Sequence, residues 1–339
     1  MALSRVAGSF ASSFAGNSAL AACLQAHSGA VAVAYSGGLD STALLFAAAA
    51  HCSAAKRPLL AFHIHHGLQA AADSFATHCE ATIEQHFSAE AIKLHVIRIS
   101  VAVAPGESTE ERARTERYKA LAQLAQTHGA SVVLLAQHAD DQAESVLLAL
   151  TRGAGLAGLA GMAARFERHG VSFARPLLAM TRSELESWVA ANQLAFITDP
   201  TNSDLSYTRN ALRAQVLPAL ARIAPGVRAS LARSAQHAAQ AQVLLDEYAQ
   251  DNLRLLTVNN HKYAISIVAC MCLSDAQQTN ALRYWLKTVH HTQATSAQLA
   301  ELQAQIATSQ RHGAPRKLSL KLGHGRVFRE GDALFFERI

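Results

Sequence analysis

Residues 31–41 read Val-Ala-Val-Ala-Tyr-Ser-Gly-Gly-Leu-Asp-Ser. Val31 to Tyr35 has the unbroken apolar character of a strand covered on both faces, and an Ala- and Leu-rich helical stretch runs on from Ser41. Between them lie Ser36, Gly37, Gly38, Leu39, Asp40 and Ser41. Two glycines let the backbone approach an anion, their amides and the serine hydroxyls donate to it, and the helix N-terminus adds positive potential. The hexapeptide is therefore a candidate phosphate cradle. No Lys follows the glycines, which excludes a Walker A loop. Asp40 would repel phosphates unless a cation intervened, so Mg2+ shared between Asp40 and phosphate oxygens is expected. The competing reading is a tight strand-to-helix turn without a ligand.

Outward from this loop, strand-like runs at Leu59 to Ile64, Lys93 to Ile99 and Ser131 to Ala136 alternate with helical stretches from Asp73 and Ser108 onward. This alternation predicts an α/β fold: an open parallel sheet with helices on both faces. A ligand of such a sheet sits beyond the carboxyl ends of the strands, where Ser36, His66 and His138 arrive. Gly153 to Gly161 is a glycine-rich connection, a Trp-containing helix starts at Thr181, and the polar loop Asp199 to Ser206 has the character of a binding segment. Pro218 and Pro225 bracket a junction, which divides the chain into a catalytic domain at 1–222 and a smaller α+β domain at 223–339. The second begins with Ala/Gln-rich helical sequence from Val227 toward Leu255. It continues with helices near Ala281 to Val289 and Ser296 to Ala307, then short strands at Lys317 to Leu322, Val327 to Arg329 and Ala333 to Phe336.

Composition agrees with two compact bodies. At roughly 150 residues per domain, 339 residues predict about two. Lys+Arg 30 against Asp+Glu 25 gives +5, and 23 of the 30 cations are Arg, the side chain suited to forked phosphate contacts. Apolar residues make up 50% and charged residues only 16%, which excludes disorder as the main state. Five cysteines without paired spacing point to neither a disulfide framework nor a zinc ribbon. No apolar run approaches the ~18 residues of a membrane span. Residues 1–39 carry no acid and a single Arg, and read as a surface helix rather than a transit peptide. A cytoplasmic protein with no membrane partner is expected, and a homodimer is compatible with the sequence.

Further chemistry lies at His138-Ala-Asp140-Asp141-Gln-Ala-Glu144, which follows a strand and enters a helix. Asp141 and Glu144 are three apart on one helical face. Such a pair can hold a cationic side chain, and one member could take the ammonium proton that blocks an amine nucleophile. An acidic first helical turn stabilised by the macrodipole is the competing reading, with Asp140 as N-cap. His63, His65 and His66 lack a matching acidic or Cys ligand set; His66 is expected beside the nucleotide and His63 in the core. Gly153 to Gly158 matches G-x-G-x-x-G literally, but a helix rather than a strand precedes it, so it reads as a mobile loop and not a dinucleotide site. Arg112, Arg114 and Arg117 lie among Glu107, Glu110, Glu111 and Glu116, the pattern of a salt-bridged face. Arg209 and Arg213 have no close acid in sequence and are read as unneutralised cations for RNA or for developing negative charge. Residues 311–339 carry seven Arg/Lys against three acids, an excess suited to an RNA backbone.

Ser36 to Ser41 resembles the pyrophosphate loop of the N-type ATP pyrophosphatases, the PP-loop superfamily, which cleave ATP between the α and β phosphates. Within it, five further motifs in order resemble the tRNA(Ile)-lysidine synthetase family: His63-Ile-His-His-Gly-Leu68; Glu111-Arg-Ala-Arg114 with Arg117-Tyr118; Leu135-Ala-Gln-His138 through Glu144; Arg152-Gly153 through Gly161-Met162; and Arg175-Pro-Leu-Leu178 with Asp199-Pro-Thr-Asn202 and Arg209-Asn210. The likeness covers roughly 31–218 and is looser beyond, and the chain resembles a short form without the last C-terminal domain of longer members.

The resemblance implies ATP and Mg2+ as cofactors, free L-lysine and a CAU-anticodon tRNA(Ile) as partners, and conversion of the wobble cytidine to lysidine through an adenylated base. Asp40, Asp141, Glu144 and Arg209 would carry catalysis, with lysine on Asp141 and Glu144. Ser36 to Ser41, His66, Arg114 and His138 would hold the nucleotide. The alternatives are another PP-loop synthetase, thiolating tRNA or adenylating a small molecule, and a non-catalytic RNA-binding protein.

Overall fold

The computed structural model describes residues 14, 17–65, 72–88, 90–100, 109–258, 261–309 and 318–339. These fall into two compact units, 1–239 and 240–339.

In the first unit, helix α1 (Asn17–Gln25) precedes strand β1 (Ala30–Ala34), then α2 (Leu39–Ala54), β2 (Leu59–His65), α3 (Ala72–His86), β3 (Ile92–Arg98), α4 (Thr109–His128), β4 (Ala130–Leu134) and α5 (Ala139–Thr151). A hairpin follows, β5 (Arg165–Arg168) and β6 (Val171–Ala174), then α6 (Arg182–Ala191). The sheet order is β3-β2-β1-β4-β6-β5, parallel except for the β5–β6 pair. Alternation along the strands explains why both faces need helices. Val31, Val33, Leu59 and Ala61 join one core with α1, α2 and α6, whereas Ala32, Leu60 and Phe62 join another with Tyr118, Leu121 and Ala125 of α4. Leu44 and Leu45 are fully buried, each contributing about 1.5–3 kcal/mol of apolar transfer.

The chain winds from β1 outward to β2 and β3, then crosses to β4 on the other side of β1. The switch point thus lies between β1 and β4, where the loop at Ser36 and the loop at His138 leave adjacent carboxyl ends. The expected open parallel sheet is observed. The hairpin Arg165–Ala174 was not expected. Its turn residues His169 and Gly170 both adopt positive φ, at 52° and 71°, the backbone a two-residue hairpin demands.

After α6 come a single turn at Pro200–Ser203, then helical segments Thr208–Ala211 and Leu217–Ile223 joined by a wide π turn at Leu212–Val216. Pro218 has no N–H to offer the Ala214 carbonyl, which accounts for the widened turn. Helix α7 (Val227–Leu256) contains the division between the units.

In the second unit, β7 (Thr257–Val258), β8 (His261–Ser266), α8 (Asp275–Thr288), α9 (Ser296–Ser309), β9 (Ser319–Leu322), β10 (Gly325–Glu330) and β11 (Ala333–Arg338) form an α+β body. Its antiparallel sheet runs β7-β8-β11-β10-β9 over a core that includes Leu282, Trp285, Leu302 and Val327. Among the described residues, no helix is long and apolar enough to cross a membrane.

Candidate active site

The loop after β1 is preformed. Gly37 has φ of 81°, and a Cβ there would sit 3.0 Å from Cys79 Sγ, so only glycine fits. The Ser41 hydroxyl donates to Gly38 O at 3.0 Å and accepts from Ser36 N at 3.2 Å, while the Ser36 and Ser41 oxygens lie 3.0 Å apart. Gly38 is the N-cap of α2 and offers no side chain to its first amides. The amides of Leu39, Asp40 and Ser41 therefore begin a helix without a side-chain cap, the arrangement that receives phosphate.

Asp40 faces two ways. Its Oδ2 lies 3.6 Å from both His138 Nε2 and Arg182 Nη1. Its Oδ1 is buried with no hydrogen-bond partner. One orphaned carboxylate oxygen at the mouth of a phosphate cradle fits a hard cation that takes its remaining ligands from phosphate and water. Among the described residues, no group of three or more His, Cys, Asp or Glu could by itself hold a metal.

Helix α5 starts with His138 as its N-cap. Nδ1 accepts from Asp140 N at 3.2 Å, and Asp141 Oδ2 returns the bond by accepting from His138 N at 3.0 Å. The expected N-cap, Asp140, instead accepts from Arg182 N at 2.9 Å and pairs with Arg228; its own amide is the one that the His138 imidazole caps. That bond fixes the Nε2–H tautomer and aims Nε2 at Asp40 and Asp141. Burial works against the charged ring, but Asp40, Asp141 and Asp140 together outweigh it and raise its pKa.

Asp141 and Glu144 do share one face, and that face holds a cation. Arg213 Nε donates to Glu144 Oε1 at 2.6 Å and Nη2 reaches Asp141 Oδ1 at 3.4 Å. The expectation that Arg213 is unneutralised is thereby corrected: its partners lie about 70 residues upstream, brought close by the π turn. Glu144 is 0% exposed, and its Oε2 has no partner. Burial raises its pKa, aided by Asp141 and opposed by Arg213 and Arg209.

Two cavities flank the loop. One of about 540 Å³ runs from Ser36 and Asp40 past Ile64 to Phe75, Phe196 and Asp199, so the polar loop at 199–206 does contribute to a lining. The other, about 360 Å³, holds Ser36, Ser41, Gln137, Asp141, Met162 and Arg209. Arg114 and Arg117 line both, whereas Arg112 and Lys119 pair with Glu116 on the solvent side of α4. His63 donates Nδ1–H to Tyr35 O at 2.9 Å, and His65 Nε2 lies 3.1 Å from Asp73. His66 lies outside the described residues. The connection expected to be a mobile loop contains a helical turn, Leu156–Leu159, and its far end is clamped. Gln142 accepts from Met162 N at 2.8 Å and donates to Met162 O at 3.2 Å.

Sequence reasoning missed Arg182, which faces Asp40, and Gln137 as an individual side chain; both partnerships span the fold and leave no local charge pattern.

Comparison with known proteins identifies the family. Residues 13–220 match the PP-loop domain, and residues 267–335 match the TilS substrate binding domain. A tRNA(Ile)-lysidine synthase of Polaromonas naphthalenivorans is 46% identical over 304 residues, 90% of this chain and 88% of that protein. The Bordetella pertussis protein of the same name is 40% identical, with 88% and 92% covered. The Burkholderia pseudomallei one is 45% identical, and this chain spans only 55% of it. Among solved structures, the U34-tRNA thiolase NcsA of Methanococcus maripaludis, with its [4Fe-4S] cluster, superposes with a TM-score of 0.54 at 15% identity over 66% of this chain and 77% of that one; this is a likeness of fold alone. With the loop, the acidic helix and the second-unit match all in one chain, the protein belongs to the tRNA(Ile)-lysidine synthase family.

Proposed function

We propose that this chain uses ATP and free lysine to convert the wobble cytidine of a CAU-anticodon tRNA(Ile) into lysidine, releasing AMP and diphosphate in the cytoplasm. The observation that carries the reading is the convergence, at the β1/β4 switch point, of an uncapped phosphate loop with a carboxylate pair that already holds a guanidinium.

The amides and hydroxyls of Ser36 to Ser41 bind the departing diphosphate. Asp40, oriented by His138 and Arg182, would hold Mg2+, which when bound neutralises phosphate charge. Arg114, which lines both cavities, contacts the nucleotide. Cytosine O2 attacks the α phosphorus, the α–β bridging bond breaks, and diphosphate leaves. The ε-amine of lysine, having given a proton to a carboxylate of the Asp141–Glu144 pair, then attacks C2, and AMP leaves with the former O2. Burial, which raises the Glu144 pKa, makes its carboxylate a stronger proton acceptor than an exposed one. Asp141, the more exposed member at 19% against 0% for Glu144, takes the ammonium first. Arg209 counters charge on the base or the AMP phosphate. An unpaired anticodon base enters such a site without melting a duplex.

The test is incubation with labelled lysine, ATP and a tRNA pool, followed by nucleoside mass analysis. Label confined to one cytidine of one tRNA is expected; label in free small molecules, or none, overturns the reading. No sulfur-transfer chemistry is favoured: Cys79, beside the loop, is pushed up to about 12 by burial, which leaves it protonated.

A further inference from the structure

Arg175, directly after β6, is 5% exposed; among the described residues it forms no ion pair with a carboxylate, and Asp141 acts on it only through space. Its Nε donates to Gln137 Oε1 at 2.9 Å, Nη1 to Ala163 O at 2.6 Å and Nη2 to Tyr118 OH at 3.1 Å, and its Cζ lies 4.3 Å from the centre of the Phe166 ring. All of these acceptors are neutral. A buried cation held only by neutral groups is costly, and burial lowers its pKa. What the arrangement fixes is the orientation of one amide. A carboxamide ordinarily presents oxygen or nitrogen with equal ease, but a guanidinium has donors only. The Gln137 oxygen must therefore face Arg175, which leaves the Nε2 amino group as the end of the side chain free to meet a ligand. Gln137 lines the cavity that also holds Asp141 and Arg209, and among the described residues its side chain makes no other hydrogen bond.

We propose that Gln137 is a specificity-determining residue that donates to the acceptor edge of the target cytosine, and that Arg175 is the positioning residue that forbids the amide to flip. The inference rests on the functional reading above and names how its second cavity selects a base. Cytosine presents two adjacent acceptors, O2 and N3. Uracil carries a hydrogen on N3, so a fixed N–H opposite it meets another N–H, and a polar group left unpaired in a closed site is strongly rejected. A freely flipping glutamine would accept either base; a pinned one does not.

The decisive variant is Gln137→Glu. It is isosteric and gives Arg175 a carboxylate, so the fold is retained and the thermal midpoint stays equal to or above that of the wild type. It also replaces the donors by acceptors. Diphosphate release is measured without lysine, on the cognate tRNA and on the same tRNA with uridine at the target position. The expected result is a fall in kcat/KM for the cytidine tRNA of about a hundredfold, an unchanged KM for ATP, and a collapse of the preference for cytidine over uridine. Arg175→Met, which frees the amide to flip, should also erode that preference with Gln137 still in place. Retained preference in Gln137→Glu overturns the inference, as does a shift confined to the KM for lysine, which would make the lysine carboxylate the acceptor instead. If the wild type releases no diphosphate with tRNA, the functional reading itself fails and the inference with it.

Discussion

Asp40 and Glu144 both face arginines, yet burial separates their chemistry. Asp40 keeps an orphaned oxygen toward the phosphate loop, so Asp40→Asn should reduce tRNA-dependent diphosphate release by about a hundredfold or more, and added Mg2+ should not restore it. Glu144 is enclosed, with its pKa raised by burial despite Arg213 and Arg209 and with the help of Asp141. A carboxyl raised in the folded state favours folding below its unfolded value, and that contribution is lost as pH rises through the folded value. Glu144→Gln should therefore gain stability relative to the wild type as pH climbs from the ordinary glutamate range through the raised one, then level off, as thermal melts across pH would read. The same variant should leave diphosphate release intact while raising the KM for lysine about tenfold or more; equal loss of both steps would move Glu144 from lysine use to the shared frame. The pair itself was legible from its spacing. Arg213 was misread because local charge counting cannot see a partner brought in by tertiary folding.

At the scale of elements, the strand-to-helix rhythm was readable because β1, β2 and β4 are largely covered on both faces and so are mostly apolar, with His63, His65 and Ser131 as the polar members. The hairpin β5–β6 escaped notice: Arg-Phe-Glu-Arg alternates with exposed charge, each strand is four residues, and His-Gly is a less familiar turn pair than Asn-Gly. The glycine-rich connection divides in the same way between what a pattern signals and what packing decides. Gly153 and Gly161 both have φ of 63°, but a Cβ at Gly153 meets nothing within 4 Å, whereas one at Gly161 lies 2.7 Å from Gln142 Oε1. Gly153→Ala should cost only the left-handed strain, about 1 kcal/mol. Gly161→Ala should cost more, about 2–3 kcal/mol, because it also pries the Gln142 clamp from Met162 and so loosens a wall of the second cavity. Denaturant titration of the two variants measures the difference directly.

For the whole molecule, charge is distributed by role. In the first unit, Arg114 and Arg117 line both cavities. In the second unit, Arg326 is committed to Glu337 at 2.8 Å and Arg329 to Asp332 at 3.0 Å, pairs that hold the sheet surface rather than a ligand. The seven-to-three basic excess read from residues 311–339 therefore rests on Lys321, Arg338 and the three cations at 311, 316 and 317, which lie outside the described residues. Of these five cations, about three facing a nucleic-acid backbone at once would each release counterions, with a slope of about −0.7 to −0.9 per contact in log affinity against log salt. Raising salt from 50 to 200 mM should then raise the KM for tRNA roughly tenfold to fortyfold. The KM for ATP, proposed to bind through the amides of the loop after β1, should change far less. Neutralising Lys321 together with the cations at 311, 316 and 317 should flatten the tRNA dependence without touching the ATP one. A tRNA term indifferent to salt would mean that recognition is carried by the anticodon cavities alone, with the basic terminus merely solvated.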